Sequence, residues 1–136
     1  MFARFLANDR GDEFAQTAIV MPILVFASLA LMNLTMAGFA SVNANNAANY
    51  AARVASVHQQ QPGTAAYQAA MQSVSYAKIG EYSVNVSGGG FSGAQIQVAV
   101  NWTVPNFLAS LASFLGGSLN GDFKGTSVSV FRQEGW

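Results

Sequence analysis

The sequence predicts an α+β protein in which one long N-terminal transmembrane helix extends into a small antiparallel-sheet head domain with short helices. Three observations carry that expectation. Residues Phe14 to Ala52 contain no charged side chain. Their most apolar part, Ala18–Ser41, exceeds the roughly 20 residues that cross a bilayer. Further along, apolar and polar residues alternate at period two, the mark of half-buried strands. The chain divides accordingly into a leader-like cytoplasmic segment (1–13), the transmembrane helix with its extramembrane extension (14–58), and an extracytoplasmic α+β head (59–136).

The long helix is expected from about Glu13 to His58. At the α-helical rise it would reach roughly 65–70 Å, about twice the hydrocarbon thickness, so its second half must leave the lipid. The composition agrees, because Asn43, Asn45, Asn46 and Asn49 enter there and Arg53 follows. Pro22 lies in the apolar half, where it removes one helix hydrogen bond, a loss that membrane helices tolerate. Ala40, Ala44, Ala48, Ala52 and Ser56 form a ladder of small residues at four-residue spacing, with Ala47, Ala51 and Ala55 beside it. Small faces let helices approach closely. This ladder is the expected packing face, toward a helix of this chain or of a partner. Before the span, Phe2, Phe5 and Leu6 fall on one side of a short amphipathic turn suited to the membrane surface.

Gln59–Gln60–Gln61–Pro62–Gly63 punctuates the helix strongly. A second helix is expected from Thr64, as N-cap, to about Ala77, with Tyr67, Ala70, Met71 and Val74 toward a core. Strands follow at Tyr82–Ser87 and Ile96–Val104, joined by a loop containing Gly88–Gly89–Gly90, and Pro105 stops the second. Phe107, Leu108, Leu111, Phe114 and Leu115 suggest a short amphipathic helix, too short to span a membrane, that could cover the sheet, dip into the lipid surface or contact a partner, with covering the sheet as the default expectation. A last strand is expected from about Gly125 to Gln133 with Val128 and Val130 inward. An antiparallel arrangement suits strands with one polar face.

Charge and composition exclude several function classes. Six basic residues balance six acidic ones, so nucleic-acid binding has no electrostatic footprint. There is no cysteine and a single histidine, His58, which leaves neither disulfides nor a thiolate or multi-histidine metal site. Glu81, Asp122 and Glu134 are far apart in sequence, and paired acid–base chemistry would need two of them in one cleft. The Gly88–Gly90 run has no Lys after it and lies between strands, unlike a phosphate-binding loop. The expectation is therefore a non-enzymatic protein with no catalytic residue, cofactor, metal or small-molecule substrate. Its partners are the lipid bilayer and other membrane proteins reached by helix packing.

Orientation follows from flanking charge. Arg4 and Arg10 precede the span and only Arg53 follows within reach, which places the N-terminus in the cytoplasm and the head outside. A cleaved secretory signal is the rival reading. Ala37–Gly38–Phe39–Ala40 offers a cleavage-like site, yet the apolar run is longer than the 7–15 residues of a signal core.

The pattern resembles the TadE-like family, pilin-like proteins of tight-adherence pilus systems. The residues that carry the resemblance are Arg10–Gly11, the following Phe14–Ala15–Gln16–Thr17–Ala18–Ile19–Val20–Met21–Pro22 with the apolar run behind it, Ala47–Ala48 through Ala51–Ala52–Arg53, and the terminal Val128–Ser129–Val130–Phe131–Arg132–Gln133–Glu134. The resemblance implies a pilin-like fold and a minor pilin or pseudopilin in the bacterial cytoplasmic membrane, anchoring or assembling a surface pilus or secretion system. It also implies a processing site between Gly11 and Asp12. The family's usual glutamate, five residues past the cut, is Gln16 here. A neutral amide cannot pair as a carboxylate with a neighbour's new N-terminal amine. That departure keeps an alternative in view: an uncleaved single-pass accessory subunit of a larger respiratory or photosynthetic membrane complex.

Overall fold

The computed structural model describes residues 9–114, 116–119 and 121–135. Its elements are α1 (Asp9–Val57), α2 (Pro62–Ser75), β1 (Glu81–Gly88), β2 (Gln95–Val104), α3 (Phe107–Phe114) and β3 (Phe123–Arg132). The expected architecture is present in outline: one long apolar helix, a three-stranded antiparallel sheet and two short helices. The surface-seeking reading of Phe2, Phe5 and Leu6 lies outside the described residues, as does Leu115.

The α1 helix runs through Pro22 as one element of 49 residues. Its hydroxyls are satisfied within the helix: Thr17 donates to the Glu13 carbonyl, Ser28 to Leu24 and Thr35 to Leu31. Such back-bonding leaves these hydroxyls without need of an outside partner. The α1–α2 corner is tight. Gln61 adopts φ 55°, and Pro62 opens α2, a position where its missing N–H costs no helix bond. The second helix therefore starts before Thr64, and no side chain caps it. Its buried face is also rotated from the one expected. Ala66, Ala69, Ala70 and Val74 face inward, whereas Tyr67 and Met71 are exposed. Close approach of two alanine-rich helices favours the small residues and turns the large ones out.

The sheet order is β1-β2-β3, antiparallel throughout. The β1–β2 hairpin closes at Gly88, whose φ is 85° and where any Cβ would collide with the Gln95 carbonyl oxygen. Glycine is the one residue free to take both features. The inner face carries Tyr82, Val84 and Val86 from β1 and Ile96, Val98 and Val100 from β2, packed on the alanine face of α1 and on α2. The outer face is mostly polar on β1 and β2 and crossed by a short ladder: Thr126 donates to Asn101, and Asn101 donates to Ser83.

The last strand faces the other way from expectation. Val128 and Val130 point outward, each about half exposed, while Ser127, Ser129 and Phe131 point inward. The register explains it, since Val98 and Val100 of the core pair with Ser129 and Ser127. Space explains the serines. Here α1 crosses β3 closely enough for the Ser129 hydroxyl to donate to Asn49 Oδ1 at 2.8 Å and the Ser127 hydroxyl to reach the Ser41 carbonyl at 3.5 Å. Branched side chains would push the helix away. Trp102 is served similarly: its register partner is Gly125, and any Cβ there would collide with the indole. The ring packs half-buried against the core.

Candidate membrane anchor and assembly surfaces

Burial divides α1 into two parts. From Glu13 to Met32 every residue is exposed except Phe26 and Leu29, which are half-covered. The exposed set is large and apolar, including Phe14, Ile19, Met21, Ile23, Leu24 and Leu31. Leaving such side chains in water forfeits about 25 cal/mol for each Å² of apolar surface. The helix is long and apolar enough to cross a membrane. From Ala40 onward the pattern inverts. Ala40, Ala44, Ala48 and Ala52 are fully buried and Ser56 nearly so. The small-residue ladder is turned into the chain's own head, against α2 and the sheet.

Besides Asn49, which accepts from the Ser129 hydroxyl, amide side chains fasten the head to α1 at each end. Near the apolar half, Asn33 is 1% exposed. It donates through Nδ2 to Asn106 Oδ1 at 3.0 Å and accepts from the Phe107 backbone N–H. Asn106 is the N-cap of α3: its Oδ1 accepts from the Leu108 N–H, and its Nδ2 donates to the Gly121 carbonyl. Capping and clasping thus use one residue. At the far end, buried Gln133 donates to the His58 carbonyl and accepts from the Gly90 N–H, while the Glu134 N–H donates to the Ser56 carbonyl. The C-terminal tail so occupies carbonyls that the end of α1 leaves without helical partners.

The sequence reading did not single out these clasps. An available signal was Asn33 itself, a lone amide inside an otherwise apolar run. Another was Pro105–Asn106, a strand stop followed by a capping residue. Nor does α3 cover the sheet as expected. It packs chiefly on α1, starting at Asn33. Phe26 and Leu29 lie on the Asn33 side of α1, three to four residues apart in succession, so the covered strip continues down the helix from the clasp.

The proposed processing residues stand apart from the head. The Gly11–Asp12 peptide lies in the first turn of α1, and Gln16, one turn further, is exposed. His58 sits exposed at the end of α1, its Nδ1 2.8 Å from the Val54 carbonyl. Glu81 and Asp122 line one open depression with Gly80, Thr103 and Pro105, so these two carboxylates share a surface that sequence distance did not suggest. Both are exposed, and Thr103 is the one hydroxyl among the residues that line the depression. Among the described residues, no group of three His, Asp or Glu could hold a metal. Arg53 lies over the Phe131 ring at 5.8 Å, a contact worth about 0.5–1 kcal/mol at a surface.

No protein-family model, curated protein or solved structure matches this chain.

Proposed function

We propose that this chain is a non-enzymatic, single-pass protein of the bacterial cytoplasmic membrane, a TadE-like minor pilin or pseudopilin with its head outside. In this role it anchors or assembles a surface pilus or secretion system. The observation that carries the reading is the division of α1. Its first half offers a bare apolar rod, and its second half is the central strut of a folded head. A subunit of this build is held by lipid and becomes available for assembly when the rods of neighbouring copies replace that lipid. The pilin-like description of the fold belongs to the same reading, supported by the long helix packed lengthwise on an antiparallel sheet.

One residue favours a second reading. Gln16 is exposed on the rod where assembly by charge pairing needs a carboxylate, and a permanently inserted accessory subunit of a larger membrane complex has no such need. Two measurements on native membranes separate the readings. N-terminal mass analysis giving a chain that starts at Asp12, with pilus-assembly proteins recovered in mild detergent, supports the pilin role. A chain retaining the residues before Gly11, recovered with a multi-subunit complex, rejects that role in favour of the accessory subunit.

A further inference from the structure

The exposed apolar half of α1 is not the whole of the apolar surface at that end. The segment Val104–Gly121 contains no charged residue. It presents Phe107 and Leu119 to solvent, and Phe123 follows at the start of β3. These three lie at the same end of the head. Phe123 is the register partner of Val104, and α3 hangs from the clasp at Asn33.

Heights along α1 place this surface. The bare rod from Phe14 to Met32 is roughly 19 residues, about 28 Å at the α-helical rise, against a hydrocarbon core of about 30 Å. Asn33 therefore falls at the outer edge of the hydrocarbon. The end of the sheet is higher: Gly80 packs beside Ala40, about 10 Å above Asn33. Charge returns at that height, with Glu81 and Asp122 around the depression beside Gly80 and Lys124 paired with Thr103. The headgroup layer is about 5–7 Å deep on each side. So α3 starts at the hydrocarbon edge, where the Phe107 N–H meets Asn33, and lies on the rod side of the first charged groups. Its Ser113 hydroxyl donates to the Ser110 carbonyl, the same internal satisfaction seen in the rod.

We propose that α3, with the turn through Leu119, is a lipid-contacting foot that enters the outer interface of the bilayer beside α1 and sets the height of the head. This inference rests on the membrane-anchor reading and adds a second, monotopic contact to it. A helix held in the interface buries its apolar face about 5–10 Å into the headgroup–acyl boundary, the level at which α3 starts beside Asn33. The lipid is preferred to a second copy of the chain because the foot is continuous with the rod and ends where charge begins.

The chain has no cysteine, so single-cysteine labelling is clean. An environment-sensitive fluorophore is attached in turn at Ser110→Cys and Leu119→Cys on the foot, Ile23→Cys on the rod and Asn85→Cys on the outer sheet face. Each full-length variant is reconstituted in phosphatidylcholine vesicles with and without brominated acyl chains, and circular dichroism checks its fold. The expected result is blue-shifted, bromine-quenched emission at 110, 119 and 23, with water-like, unquenched emission at 85. Quenching at 23 with water-like emission at 110 and 119 overturns the foot and leaves the anchor standing. Water-like emission at 23 overturns the anchor and the foot with it. Blue-shifted emission at 110 that bromine does not quench, accompanied by self-quenching between labelled chains, overturns the lipid in favour of a second copy.

Discussion

The two halves of α1 apply opposite rules to one continuous helix. Between Phe14 and Met32 nearly every side chain is exposed, and the large apolar ones among them call for an apolar surrounding. Between Ala40 and Ser56 the face made of Ala40, Ala44, Ala48, Ala52 and Ser56 is small and buried, and what covers it is protein. On the membrane-anchor proposal the first half tolerates change of shape but not of polarity, because lipid conforms to any apolar outline. The second tolerates neither, because α2 and the sheet approach to the distance an alanine methyl allows. Close packing of this kind is felt at the level of single methylenes. Asn33 stands at the junction, a buried amide satisfied by Asn106 and the Phe107 N–H.

Substitutions can break this contrast. Leu24→Arg in the first half should raise the cost of insertion by about 3 kcal/mol, visible as loss from the membrane fraction, with the head's protease resistance unchanged. Ala48→Leu in the second half should do the reverse. Insertion survives, and the head loses about 2–3 kcal/mol through overpacking, measured by urea unfolding in detergent. The matched change Ala27→Leu, on the exposed rod, should leave the head's unfolding midpoint where it was. If Ala48→Leu also leaves it unchanged, the alanine face is not the tight contact described here.

Smaller effects sharpen the picture at the head's edges. Trp102→Ala should cost about 2–3 kcal/mol, below the ~3–5 kcal/mol typical of a fully buried aromatic, because the ring is half-exposed; intrinsic fluorescence and urea unfolding together would test it. Gln133→Leu removes the distal clasp and leaves the Gly90 N–H and the His58 carbonyl without that partner. A loss of about 1–2 kcal/mol is expected, with faster amide exchange in the Gly88–Gly93 loop. Val128→Thr, on the outer sheet face, should shift stability by less than about 0.5 kcal/mol; a core-sized loss there would contradict the observed orientation of β3.

Legibility followed the range of the forces involved. The rod was readable because its signal is compositional, and a run without charge means the same whatever it packs against. Strands β1 and β2 were readable because alternation is local. The orientation of β3 was not. Val128 and Val130 alternate with Ser127 and Ser129, and propensity favours the valines inward. The outcome turned instead on how near α1 passes, which no local pattern encodes. Tyr67 and Met71 were misplaced for the same reason, since the alanines beside them made the closer contact. The carboxylates Glu81 and Asp122 met at one depression only because antiparallel pairing brings the start of β1 and the approach to β3 to the same end.

The amino-acid sequence alone determined that there is a membrane-length apolar helix, where it ends, and that an antiparallel α+β unit follows. These depend on the period and polarity of neighbouring residues. Tertiary structure decided that the alanine ladder is spent inside its own head, that serines rather than valines line the core side of β3, and that α3 hangs from Asn33 instead of covering the sheet. Those outcomes depend on distances between segments tens of residues apart, where the winning arrangement is the one that lets backbones approach without leaving an amide unpaired.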